Sequence, residues 1–221
     1  MRILKIIILS VALLSVSRGL AQKESQPFYS DIQAFKKQDS INPPPKGAIL
    51  FVGSSSFTKW LNVQEMFPGY TIINRGFGGS TLTDVIRYAD DIIYPYQPKQ
   101  VVVYCGDNDI ANGTDSKVVA ERFKTLFQMI RKNLPGVSIL FVSIKPSPSR
   151  EKFMPVVKQS NQIIKNYLWQ AGNAGYADVF TPMLNTDGKA RPELFLEDNL
   201  HMKPGGYVIW QKVIQPYLLK N

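Results

Sequence analysis

The chain has 221 residues, 44% of them hydrophobic, with 26 basic and 17 acidic side chains but one histidine and one cysteine. A lone Cys105 excludes an internal disulfide framework, and a lone His201 excludes the common multi-histidine zinc sites. The formal charge of +9 is scattered, with Lys36-Lys37 and Arg131-Lys132 as the tight basic pairs, so it reads as solvated surface and argues against nucleic acid as a partner.

Arg2 and Lys5 precede the apolar run Ile6 to Val16, and Gly19-Leu20-Ala21 follows it. This is the pattern of a secretory signal cleaved after Ala21. The run is shorter than the about 20 residues of a membrane span, Arg18 stands close behind it, and no cysteine follows to accept a lipid. Residues 1–21 therefore read as a signal peptide and 22–221 as one domain, exported to the periplasm or beyond the cell, with no stable membrane insertion after processing. Without the signal, 23 basic and 17 acidic residues remain, a formal charge of +6.

Along the remaining chain two periods alternate. The segment Phe28 to Gln38 predicts a helix ahead of the first strand. Apolar, β-rich runs predict strands at Ala48 to Val52, Thr71 to Ile73, Val101 to Tyr104, Val137 to Ser143 and Tyr176 to Phe180. Helical spacing predicts helices over Thr81 to Tyr88, Ser116 to Asn133, Met154 to Ala174 and Pro204 to Leu219; in the last, Tyr207, Trp210, Val213, Ile214 and Tyr217 mark a buried face. Turn chemistry in "NPPPKG", "FPGY" and "NLPG" separates the units. Strands too apolar to face water on either side, alternating with helices, predict an α/β fold: a parallel sheet covered on both faces, a three-layer α/β/α sandwich.

In such a sheet, ligands bind at the carboxyl ends of the strands, near the point where strand order reverses. Three polar, glycine-bearing loops fall there: "GSSS" (Gly53 to Ser56), "NRGFGGS" (Asn74 to Ser80) and "CGDND" (Cys105 to Asp109). A fourth element, "EDNLHMKPGGY" (Glu197 to Tyr207), carries His201 just before the final helix. One histidine suffices as the general base of a serine nucleophile. Asp198, three residues earlier, has the spacing for a turn to place its carboxylate against the imidazole; Glu197 is the competing acid.

Taken together, these four blocks resemble the SGNH hydrolase family, the GDSL-type esterases and lipases, in order and across nearly the whole mature chain. "FVGSSSFTKW" is similar to the block in which the nucleophile stands two residues after the glycine, which assigns Ser55. "NRGFGGS" matches the block with the oxyanion glycine, Gly79, with Gly78 as the rival. "GDND" matches the block with the oxyanion asparagine, Asn108, and "DNLH" the block with Asp198 and His201. The departure from the pattern is Ser54, where the family's name-giving aspartate stands, so Ser54 and Ser56 remain rival or assisting hydroxyls. The resemblance implies a flavodoxin-like sandwich with a sheet of about five strands.

The chemistry also stands without the family. Ester hydrolysis needs a nucleophile, a base, an anchor for the base and donors for the oxyanion. Ser55, His201 and Asp198 supply the first three, and the N–H groups of Ser55 and Gly79 with the side-chain amide of Asn108 supply the donors. No metal and no organic cofactor is called for. The substrate expected is an acyl ester, small or carried on a glycan, with acetyl on carbohydrate favoured because no apolar lid segment is evident. Alternatives are an acylhydrolase or thioesterase for longer chains and a non-catalytic glycan-binding module on the same fold. Two other chemistries fit worse: Phe57 breaks the Gly-x-Ser-x-Gly elbow, and Thr81 stands where a dinucleotide fingerprint needs its last glycine. Cys105 continues an apolar strand and reads as a small buried residue rather than a thiol nucleophile. Trp60, Phe77 and Tyr104 are half-core aromatics that are candidates to line an acyl or sugar pocket.

Overall fold

The computed structural model describes residues 26–220; the expected signal peptide lies outside the described residues. Five parallel strands form one sheet: β1 (Ile49–Gly53), β2 (Ile72–Gly76), β3 (Gln100–Tyr104), β4 (Ser138–Val142) and β5 (Ala174–Ala177), in the order β2-β1-β3-β4-β5. Among the described residues nine α-helices accompany them: α1 (Tyr29–Ile41), α2 (Ser55–Thr58), α3 (Val63–Met66), α4 (Leu82–Arg87), α5 (Ala89–Ile92), α6 (Asp107–Ala111), α7 (Ser116–Asn133), α8 (Met154–Gln170) and α9 (Pro204–Ile214). This is the three-layer, doubly wound arrangement expected, and the strand order reverses between β1 and β3.

Every residue of β1, β3 and β4 is buried, as a parallel sheet covered on both faces requires. Successive side chains point to opposite faces. Leu50, Val52, Val101 and Val103 join a core with Val85, Phe123, Phe127 and Ile164, while Ile49, Phe51, Val102 and Tyr104 join a second core with Phe57, Trp60, Trp210 and Ile214. Helices α4, α7 and α8 thus cover one face, and α2 and α9 the other.

Gly53 ends β1 where no other residue fits. Its φ is +138°, and a Cβ there would lie 1.8 Å from the carbonyl oxygen of Tyr104, so the first serine turn sits directly on the end of β3.

Several boundaries differ from the sequence reading, each for a local reason. Helix α8 ends at Gln170, not Ala174, because the Gly172-Asn173 turn, with Asn173 at φ 53°, reverses the chain. The last strand therefore comes earlier, at Ala174–Ala177, and Val179 and Phe180 have left the sheet to donate their N–H groups to Ser143 Oγ, each at 3.0 Å. Strand β2 runs on through Asn74 and Arg75 because its backbone still pairs with β1. Arg75 tolerates burial there through an ion pair with Asp39 of α1 and a 2.7 Å hydrogen bond to the Tyr96 hydroxyl. The final helix stops at Ile214, and Pro216 lies in the 3₁₀ turn Gln215–Tyr217 that follows it. "GDND", read as a loop, opens α6.

Candidate active site

The sheet delivers the predicted residues to one end. Ser54 follows β1 as the N-cap of α2, and Ser55 and Ser56 form its first turn. Ser54 and Ser56 are each 2% exposed, whereas Ser55 between them is half-buried. Of the three serines, Ser55 alone is partly open to solvent, and among the described residues no hydrogen bond engages its hydroxyl. Two ties fix the turn: Asn74 of β2 donates its side-chain amide to the Phe57 carbonyl at 2.7 Å, and the Tyr207 hydroxyl of α9 donates to the Ser56 carbonyl at 3.0 Å.

The glycine loop after β2 lies alongside. A Cβ on Gly78 would come within 3.9 Å of Ser55 Cβ. Gly79 is exposed with φ +84°, a conformation that favours glycine, and its N–H meets no acceptor among the described residues. The loop is held from below by Ser80, whose hydroxyl donates to the Gly53 carbonyl at 3.1 Å.

Asn108, in the first turn of α6, is half-buried. Its Nδ2 donates to Ser54 Oγ at 2.7 Å and to the Ser80 carbonyl at 3.0 Å, and its Oδ1 accepts from Arg150 Nη2 at 3.0 Å. Ser54, standing where an aspartate was expected, therefore accepts from the asparagine's amide. The next residue, Asp109, is fully buried: it pairs with Arg122 at 2.7 Å and takes the Leu82 N–H at 2.9 Å, locking α6 against α4 and α7.

On the other side, Asp198 Oδ1 accepts the N–H groups of Leu200 and His201, both at 2.9 Å, and its Oδ2 lies 2.5 Å from His201 Nδ1. Asn199, at φ 54°, lets the chain turn this tightly. The His201 imidazole, together with the two backbone N–H groups, holds the Asp198 carboxyl well below the usual carboxylate range. Among the described residues Glu197 makes no side-chain hydrogen bond or ion pair with His201. The structure thus joins Asp198 to His201 and places Ser55 beside the glycine loop, and it contains no hydrogen bond between Ser55 and His201.

The pocket role offered for three aromatics is corrected, while the reading of Cys105 as a small buried residue holds. Trp60, Phe77 and Tyr104 are each 1% exposed and pack inside the two cores instead of facing a ligand. Cys105 is fully buried, and burial pushes its thiol well up from its ordinary value, which removes it as a nucleophile. Among the described residues no group of three or more His, Cys, Asp or Glu is arranged to hold a metal ion, and no helix is long and apolar enough to cross a membrane.

The sequence reading missed the loop after β4, "SIKPSPSR". Lys145, 2% exposed, pairs with Asp107 at 3.2 Å and donates to Ser147 Oγ at 2.9 Å. Arg150 pairs with the same carboxylate at 2.7 Å. Two cations spaced among serines and prolines looked like ordinary surface; Pro146 and Pro148, which stiffen the stretch, were the available signal. A cleft of about 380 Å³ opens beyond the serine turn, lined by Leu61, Met66, Met202, Tyr207 and Val208 among others.

A family model described as GDSL-like lipase/acylhydrolase matches residues 52–209, which takes in all four blocks. A multidomain esterase of Ruminococcus flavefaciens is 22% identical over 92% of this chain, and the match spans only 28% of that protein's length. Two solved structures share the fold. A GDSL-like lipase from Bacteroides thetaiotaomicron has a TM-score of 0.70 at 18% identity, covering 84% of this chain and 96% of that one. An acetylxylan esterase from Geobacillus stearothermophilus, solved as a catalytic mutant, has a TM-score of 0.63 at 13% identity, covering 78% and 94%. With more than half of its length matched by the model, the chain belongs to the GDSL-like lipase/acylhydrolase family.

Proposed function

We propose that the protein is an exported serine esterase that removes short acyl groups, acetyl above all, from carbohydrate. The observation that carries the reading is the selective exposure of Ser55 between two buried serines, on the turn that Tyr207 ties to the helix following His201.

In this reading Ser55 Oγ attacks the ester carbonyl as His201 takes its proton. The Asp198 carboxylate holds Nδ1–H and so leaves Nε2 as the base. The negative charge that develops on the carbonyl oxygen is met by the N–H groups of Ser55 and Gly79 and by the Asn108 amide. The amide keeps one N–H on the Ser80 carbonyl and transfers the other from Ser54 Oγ to the oxyanion. His201 then protonates the departing alcohol, and water, activated by the same imidazole, releases the acyl group from Ser55. Asp198 serves throughout as a carboxylate, in keeping with its lowered pKa.

The sugar ester is favoured because one structural neighbour is an acetylxylan esterase and because short loops carry the site. The apolar cleft beside Lys59 and Met202 favours a second reading, an acylhydrolase for longer chains. Hydrolysis of synthetic esters from acetyl to octanoyl, alongside acetylated glycans, tests both. On the first reading kcat/KM falls with acyl length and acetylated glycans are cleaved; a steady rise to octanoyl selects the second. Ser55→Ala abolishes turnover under either, and a variant that still turns over sinks both.

A further inference from the structure

The oxyanion role given to Asn108 raises a question that the four sequence blocks leave unanswered: what makes its side chain present nitrogen rather than oxygen? An asparagine amide is nearly symmetric in shape, and rotation by half a turn about its last bond exchanges a donor for an acceptor. Here the two neighbours decide. The Ser80 carbonyl only accepts and lies 3.0 Å from Nδ2; the Arg150 guanidinium only donates and lies 3.0 Å from Oδ1. Reversal would set oxygen against oxygen and donor against donor.

We propose that Arg150 is a positioning residue for the reaction, acting through Asn108; this rests on Asn108 being an oxyanion donor. Its guanidinium fork spans consecutive residues, Nη2 donating a hydrogen bond to Asn108 Oδ1 and Nη1 lying 2.7 Å from Asp107 Oδ1 as an ion pair. Asp107 is in turn held by buried Lys145, so the fork has a fixed foot. A cation donating to Oδ1 also draws electron density from the amide and makes its N–H groups stronger donors as the oxyanion forms. The same loop reaches the other half of the site: Ser149 donates its N–H and its hydroxyl to the Asn199 carbonyl, at 3.1 and 3.0 Å, within the Asp198–His201 turn. "SIKPSPSR" thus ties the oxyanion side to the acid–base side, and Arg150 is its contact with the reacting centre's donor.

The effect belongs to the transition state, so it falls on kcat. Loss of an oxyanion donor outright costs about 10²–10³-fold in kcat; loss of its orienting partner is expected to cost about tenfold, with KM within twofold. The test is a set of variants assayed with p-nitrophenyl acetate: Asn108→Ala, Arg150→Met, Arg150→Gln and the double variant Asn108→Ala/Arg150→Met, each with its urea unfolding midpoint. Arg150→Met should lower kcat; Arg150→Gln, which retains a donor for Oδ1, should recover part of it at similar stability. In the Asn108→Ala background Arg150→Met should cost little more. Losses that multiply in the double variant, or Arg150→Met turning over like wild type while Asn108→Ala does not, overturn this inference alone. An Asn108→Ala enzyme near wild-type turnover overturns the oxyanion reading along with it.

Discussion

The Tyr207 hydroxyl reaches the Ser56 carbonyl at 3.0 Å across 151 residues of sequence, and both residues are buried. That bond joins the helix behind His201 to the turn that presents Ser55, so in the proposed mechanism the spacing of base and nucleophile depends on a side chain that takes no part in the chemistry. Tyr207→Phe removes the donor and leaves a buried carbonyl unpaired. We expect a loss of about 1–2 kcal/mol in urea unfolding and a several-fold fall in kcat, since a small displacement at a reacting centre is costly. An unchanged kcat with the stability loss present would show that the bond braces the fold and not the site.

The three serines separate by substitution. Ser55→Ala should lower kcat by about 10⁴-fold or more, at an unfolding midpoint close to wild type because the residue is half-buried and its hydroxyl makes no bond. Ser54→Ala takes an acceptor from Asn108 and should keep kcat within about tenfold. Labelling with a serine-reactive phosphonate, read by mass spectrometry, should mark residue 55; a label on residue 54 or 56 contradicts the assignment.

The contacts around Asp198 set a pH expectation. Its folded-state pKa is depressed by His201 and two backbone N–H groups, so the stability it contributes is present above the unfolded value of about 3.9 and is lost as pH falls toward the folded value. A carboxyl ¹³C titration should therefore show Asp198 still ionised at pH 3.5. A midpoint near 3.9 would mean that the turn does not hold in solution. Asp198→Asn should cost about 10⁴-fold in kcat by removing the preferred tautomer, and Glu197→Gln should leave kcat nearly unchanged.

The buried charges behind the site should respond unequally. Desolvation works to raise the Asp107 carboxyl, but Lys145 and Arg150 outweigh it and leave its pKa lowered; desolvation lowers that of Lys145. Asp107→Asn strands a buried ammonium and should cost about 3 kcal/mol or more, whereas Lys145→Met leaves Asp107 paired with Arg150 and should cost less. Because the Asp107 pKa is depressed on folding, wild-type stability should decline as pH falls below about 4, and that decline should be shallower in Asp107→Asn. Equal losses in the two variants, measured by urea unfolding at pH 7, would contradict the asymmetry.

The layers and most of the site's raw material are legible in the order of the residues. Burial on both faces of a parallel sheet writes itself locally, as the runs "ILFV" and "VVVY", and the helix faces of α7 and α9 show in side-chain spacing; the glycines and Asn108 stood out because polar residues interrupted those runs at strand ends, and His201 because it is the one histidine, with Asp198 three residues before it. Ends fixed by backbone reversal or distant partners were less legible, as at Asn173, or at Arg75, whose burial depends on Asp39 in another helix. The tertiary structure alone decided which serine is exposed, since Ser54, Ser55 and Ser56 differ in surroundings and not in kind. It alone brought Lys145 and Arg150 onto Asp107 and Asn108, some 40 positions back in the chain. A lone charge in sequence carries no sign of its partner; desolvation makes that pairing necessary, and only the packing of β3 beside β4 brings the partners together.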